Sequence, residues 1–147
     1  MAKVVLIYGS TTDNTEMLSE HVAAGLERGM ANVTVKNVTD ADVKELTDYD
    51  AIVFGCSTWG EGDLQDDFVE FYDAMDGISL DGRKAAVFGP GDKEDYPDSF
   101  CTAVDILEET LEKHGAKLVA DGFKVDGAVE PAFEDAEAWG LKVAKAL

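Results

Sequence analysis

Val4-Val5-Leu6-Ile7-Tyr8-Gly9-Ser10-Thr11-Thr12-Asp13-Asn14-Thr15-Glu16 decides how the chain folds. Five consecutive apolar or aromatic residues, rich in β-branched side chains, stop at a glycine. A run without polar alternation is the mark of a strand buried on both faces, as at the centre of a parallel sheet. The turn after it is crowded with hydroxyls and leads directly into Leu18, Val22 and Leu26, which recur at helical spacing. A buried strand feeding an amphipathic helix is the first half of a βαβ unit.

The same alternation continues outward from this stretch. Val33-Thr34-Val35-Lys36-Asn37-Val38 alternates, Ala51-Ile52-Val53-Phe54 ends at Gly55, and Ala85-Ala86-Val87-Phe88 ends at Gly89. Lys117-Leu118-Val119, continuing toward Phe123-Lys124-Val125, is read as the fifth strand. Between them lie helical stripes: Phe68, Phe71, Tyr72 and Met75; then Phe100, Val104, Leu107 and Leu111; and last Phe133, Ala136, Gly140, Val143 and Leu147. Residues Asp40 to Leu46 are expected to form a weaker helix of one or two turns. The pattern βαβαβαβαβα implies right-handed crossovers and an α/β three-layer sandwich, with five parallel strands and helices on both faces. At 147 residues the chain is expected to be one domain, 1–147.

Charge narrows the function. Twelve Lys+Arg against 31 Asp+Glu give a net charge of −19. Such a surface repels phosphate backbones and anionic lipid headgroups, so nucleic-acid and membrane partners are not expected. It favours soluble partners with basic faces. The two cysteines, Cys56 and Cys101, are too few for a disulfide scaffold and cannot make a metal site alone. The first residues lack the pattern of a secretory signal, and no apolar stretch approaches 18 residues. A cytoplasmic address with reduced thiols is expected.

In open α/β sheets ligands bind beyond the carboxyl ends of the strands. Three loops leave those ends. In the first, Ser10, Thr11, Thr12, Asp13, Asn14 and Thr15 carry four hydroxyls and an amide, and they precede a helix whose first N–H groups are free to meet an anion. Neither a Walker loop nor GxGxxG is present, which disfavours triphosphate hydrolysis. The same residues also serve simply as a turn and helix cap. The second loop holds Ser57, Thr58, Trp59 and Gly60, followed by Glu61, Gly62 and Asp63. The third runs through Gly89, Pro90, Gly91 and Asp92 to Tyr96. Aromatics on neighbouring rims can sandwich a flat ring, each contact being worth about 0.5–1.5 kcal/mol beyond its area. They can equally close the ends of the core.

With these residues in place the chain resembles a flavodoxin. Tyr8-Gly-Ser-Thr-Thr-x-Asn-Thr-Glu16 is similar to that family's phosphate loop, and Gly55-Cys-Ser-Thr-Trp-Gly60 with Leu64-Gln-Asp-Asp-Phe68 to its first ring loop. Phe88-Gly-x-Gly-Asp92 with Tyr96 and Phe100-Cys101 is similar to its second. The continuous segment from Lys117 to Asp126 lacks the insertion of long-chain members, so the resemblance is to the short-chain type. It implies strand order 2-1-3-4-5 and non-covalently bound FMN. It also implies a low-potential one-electron carrier, shuttling between semiquinone and hydroquinone, rather than an enzyme.

By that resemblance Ser10, Thr11, Thr12, Asn14 and Thr15 would hold the phosphate; Asp13 in the same loop and Ser57 in the second loop would also belong to the cofactor site. Thr58, Trp59 and Gly60 would flank the inner ring face, and Tyr96 would cover the outer one. Pro90, Gly91 and Asp92 would face the pyrimidine edge, with Cys101 near it or simply in the core. The protein would be a monomer, and its partners redox proteins with basic docking faces: iron-sulfur or haem proteins and flavin reductases. An NAD(P)H-dependent FMN reductase shares the fold and is the alternative; it would need one ring face open to nicotinamide. Three departures stand out, the first being a loop after Trp59, at Glu61 and Gly62, about two residues shorter than in many short-chain relatives. Asp13 occupies a place where the family usually has glycine, and Pro90 brings no N–H to the flavin edge. The flanking loops carry Glu61, Asp63, Asp66, Asp67, Glu94, Asp95 and Asp98 against Lys93. One carboxylate about 8 Å from a reduced flavin, at an effective dielectric of 20, disfavours its negative charge by about 2 kcal/mol, or about 90 mV.

Overall fold

The computed structural model describes residues 2–9, 13–59, 63–92, 94 and 100–147, and for Trp59 and Asp63 the backbone alone. Four strands form the body of the sheet: β1 (Lys3–Gly9), β2 (Asn32–Asn37), β3 (Ala51–Cys56) and β4 (Lys84–Gly91). The fifth, β5, comes in two segments, Lys117–Leu118 and Phe123–Asp126, and both pair with β4. All these pairings are parallel, in the order β2-β1-β3-β4-β5. This is the doubly wound five-strand arrangement expected from the alternation of patterns, with the order that the resemblance implies.

The helices are α1 (Asn14–Arg28), α2 (Asp66–Ala74), α3 (Thr102–Lys113) and α4 (Phe133–Lys145). Because the strands alternate their side chains, they divide the core in two. Val5, Ile7, Ile52, Phe54, Ala85 and Val87 face α2 and α3, with Phe68, Phe71, Val104 and Leu107. Val4, Leu6, Val53, Ala86 and Phe88 face α1 and α4, with Leu18, Val22, Leu26 and Val143. Phe54, Phe68 and Phe71 meet edge to face at 5.3–5.8 Å. Helices α1 and α4 approach at backbone distance. A Cβ on Gly25 would stand 2.0 Å from the Glu137 carbonyl oxygen, and one on Gly140 would stand 2.3 Å from that of Val22.

Three details differ from the sequence reading. The weak helix expected from Asp40 to Leu46 is instead two 3-10 segments, Val38–Asp40 and Val43–Asp48. Asn37 caps the first, and the Asp42–Glu45 capping box starts the second, so two caps within six residues break the segment. The second is that the face α4 buries is Ala136, Trp139, Gly140, Val143 and Ala144, whereas Phe133 and Leu147 lie at its ends, partly buried. Third, β5 is interrupted. The Trp139 indole N–H donates to the Asp121 carbonyl at 2.9 Å, inside the interruption. The same ring stacks on Phe123 and meets Phe88 edge on. His21 and His114 are structural: His21 stacks on Phe133 at 4.0 Å, and His114 Nδ1 lies 3.0 Å from the Ile78 carbonyl oxygen.

Candidate functional site

The carboxyl ends of β1, β3 and β4 come together in register. Gly9 pairs with Cys56 and Gly55 with Phe88, so the loops that follow all leave one edge of the sheet. The convergence follows from parallel strands laid side by side.

From the first loop the structure describes Asp13, Asn14 and Thr15, while Ser10, Thr11 and Thr12 lie outside the described residues. Asp13 is the N-cap of α1 in the left-handed region, at φ 65° and ψ −8°, and its exposed side chain makes no cap. The position thus has the backbone conformation for which glycine is the default, and Asp adopts it better than most residues. With no carboxylate over them, the first N–H groups of α1 have no acceptor from their own N-cap side chain. An incoming anion suits such a terminus. Asn14 is half-buried. Thr15 is buried, and its carbonyl accepts the Ser19 hydroxyl at 2.7 Å.

Beside Gly9, at the end of β1, Gln65 is a buried polar residue to which the sequence reading gave no role. Its Oε1 accepts the Phe68 N–H and so caps α2, and its Nε2 donates to Asp67. Gly9 lies directly on it: a Cβ there would be 2.4 Å from Gln65 Oε1. The signal was local but easy to pass over, a cap-capable amide just ahead of Asp66-Asp67 at a helix start. Tyr8 was likewise unassigned. Its hydroxyl donates to Glu16 Oε1 at 3.0 Å, and burial, reinforced by the Glu16 carboxylate, holds the phenol above its ordinary pKa.

In the second loop Ser57 and Thr58 are half-buried, and Thr58–Trp59 pairs antiparallel with Asp63–Leu64. The Thr58 hydroxyl oxygen accepts the Ala103 N–H of helix α3 at 2.9 Å. The Trp59 side chain and Gly60 lie outside the described residues. In the third loop Pro90 and Gly91 end β4, in register with Val125 and Asp126. The pairing with β3 stops at Phe88, beyond which Pro90 takes no part in it. Asp92 is exposed and accepts the Glu94 N–H. Tyr96 lies outside the described residues.

Cys101 is fully buried at φ 51°, with its thiol 3.4 Å from the Gly89 carbonyl. Cys56 is buried too, its thiol directed at the Ser57 carbonyl. Burial pushes both thiols up to about 12, which keeps them protonated and unreactive near neutral pH. Among the described residues no group of three or more His, Cys, Asp or Glu side chains could hold a metal. None of their helices is long and apolar enough to cross a membrane.

Comparison with known proteins agrees with this arrangement. The family model for flavodoxin matches residues 6–140. A flavodoxin of Maridesulfovibrio salexigens is 47% identical over 147 residues, 98% of each chain. One of Nitratidesulfovibrio vulgaris is 38% identical over the whole of both. The crystal structure of oxidised Flavodoxin 1 from Bacillus cereus superimposes with a TM-score of 0.92 at 40% identity, covering 99% of each chain. Sheet order, loop convergence and these matches together place the chain in the flavodoxin family, non-catalytic electron carriers that bind FMN without a covalent link.

Proposed function

We propose that this chain is a low-potential one-electron carrier, a single domain over 1–147 that works as a cytoplasmic monomer. It would hold FMN at the carboxyl ends of β1, β3 and β4. The observation that carries the reading is the start of α1: a left-handed N-cap whose side chain caps nothing, with buried Thr15 behind it and hydroxyl-rich sequence in front. Neutral donors and a helix terminus that its own N-cap side chain leaves free suit a phosphate dianion in a protein of charge −19, where no cation is needed for the cradle.

Bound FMN supplies the redox chemistry. The chain's residues bind, orient and tune. Ser10, Thr11, Thr12, Asn14 and Thr15 would hold the phosphate, and Ser57 would belong to the cofactor site. Asp13 supplies the left-handed turn. Trp59, Gly60 and Tyr96 would enclose the ring, with Thr58 at the foot of the second loop, its hydroxyl oxygen taken by the Ala103 N–H, and with Pro90, Gly91, Asp92 and Cys101 at the pyrimidine edge. Carboxylates around the loops oppose added negative charge and lower the second of the two one-electron potentials. No group in this set is assigned general acid, base or nucleophile chemistry.

Partners would be redox proteins that offer a basic face, iron-sulfur and haem proteins or flavin reductases among them. Stopped-flow transfer from the reduced protein to a basic c-type cytochrome tests this. The second-order rate constant should fall steeply with added salt, as attraction between opposite charges requires. A rate independent of ionic strength would contradict the docking chemistry.

A further inference from the structure

Helix α3 begins without a cap of its own. Cys101, its N-cap residue, is left-handed and its side chain caps nothing; the thiol turns inward to the carbonyls of Gly89 and Val125. Two residues on, Ala103 is fully buried, and its N–H has no solvent to bond. Thr58, 45 residues earlier, supplies the acceptor at 2.9 Å. Helix caps usually come from the N-cap residue itself. A cap from a distant loop is also a tie between segments.

The segments tied here are the stem that opens the second loop and the helix that follows the third. Thr58 immediately precedes Trp59 in the stem Thr58–Trp59, paired with Asp63–Leu64. Helix α3 follows directly on the loop that contains Tyr96. That loop is anchored at its other end too: a Cβ on Gly91 would stand 2.8 Å from Cys101 Sγ and 3.1 Å from its backbone nitrogen.

We propose that Thr58 is a positioning residue that acts through Ala103, its hydroxyl oxygen holding the stem Thr58–Trp59 at a set distance from the first turn of α3. The ring site and the first turn of α3 then form as one unit. This rests on the reading that the flavin ring binds between those loops. Tight ring binding needs that spacing set beforehand, since ordering it on binding subtracts from affinity.

The test compares Thr58→Val, which keeps the shape and loses the acceptor, with Thr58→Ser, which keeps the acceptor. Apoprotein of each is titrated with FMN and with riboflavin. Thr58→Val should weaken both by the same factor, about tenfold, because the spacing must then be ordered on binding. It should also shift the gap between the two one-electron potentials of the loaded protein. Thr58→Ser should match the wild type in both. A Thr58→Val protein with a lower melting temperature but unchanged affinities and potentials would overturn the proposal, because the cap would then serve stability alone. Loss of FMN but not riboflavin binding would overturn it as well, and so would a serine variant as weak as the valine.

If Thr58→Val does not fold, amide hydrogen exchange on the unmodified protein decides. Added FMN should slow exchange at Ala103, and an Ala103 amide indifferent to FMN would contradict the tie. A wild-type apoprotein that takes up neither flavin would sink the parent reading instead.

Discussion

The Asp13 carbonyl accepts the Met17 N–H at 2.9 Å while Asp13 itself stands at φ 65°, so α1 starts from a left-handed aspartate. The geometry is one that glycine adopts without strain, and the side chain contributes no cap in exchange.

Asp13→Gly should therefore bind FMN more tightly. It relieves up to about 1 kcal/mol of left-handed strain and removes a carboxylate from the vicinity of a phosphate dianion. Riboflavin, which lacks the phosphate, should bind as it does to the wild type. Fluorescence titration of the apoprotein measures both. An FMN dissociation constant that is unchanged or larger would show that the carboxylate points harmlessly to solvent.

Gly25→Ala and Gly140→Ala should each destabilise the fold by about 2–3 kcal/mol, the upper range for overpacking. Their added Cβ atoms would meet carbonyl oxygens of the partner helix at 2.0 and 2.3 Å, and backbone cannot step aside as a side chain can. Urea unfolding is the measurement. A shift below 1 kcal/mol would mean that α1 and α4 slide apart easily.

The central strands were legible because burial on both faces leaves an unbroken apolar run, as in Ile52-Val53-Phe54 and Ala85-Ala86-Val87-Phe88. The break in β5 was not legible. It is tied to a bond from Trp139, 18 residues away, to Asp121, and no local pattern encodes that partner. The site divides the same way. The left-handed turn at Asp13 was signalled only by the resemblance, which has glycine at that place, and the structure has the turn there. The contacts of Thr58 with Ala103 and of Gln65 with Gly9 gave no local signal, since they exist only once distant segments are aligned.

Alkaline pH should weaken the fold through its two thiols. Folded Cys56 and Cys101 titrate near 12, against about 9 for a free thiol, so between those values the folded chain keeps protons that the unfolded chain has lost. Stability must then fall as pH rises through that window, by up to about 1.4 kcal/mol per pH unit for each thiol. Urea unfolding between pH 9 and pH 11, for wild type and for Cys56→Ala, should show a shallower decline in the variant. Equal slopes would contradict the burial of that thiol.

The most direct measurement of the central claim is uptake of flavin by the purified apoprotein. One equivalent of FMN should bind, with its fluorescence quenched and its visible absorption bands shifted, to give a yellow protein that prefers FMN to riboflavin. A polypeptide that stays colourless in the presence of FMN would contradict the assignment of the three loops and, with it, the electron-carrier function.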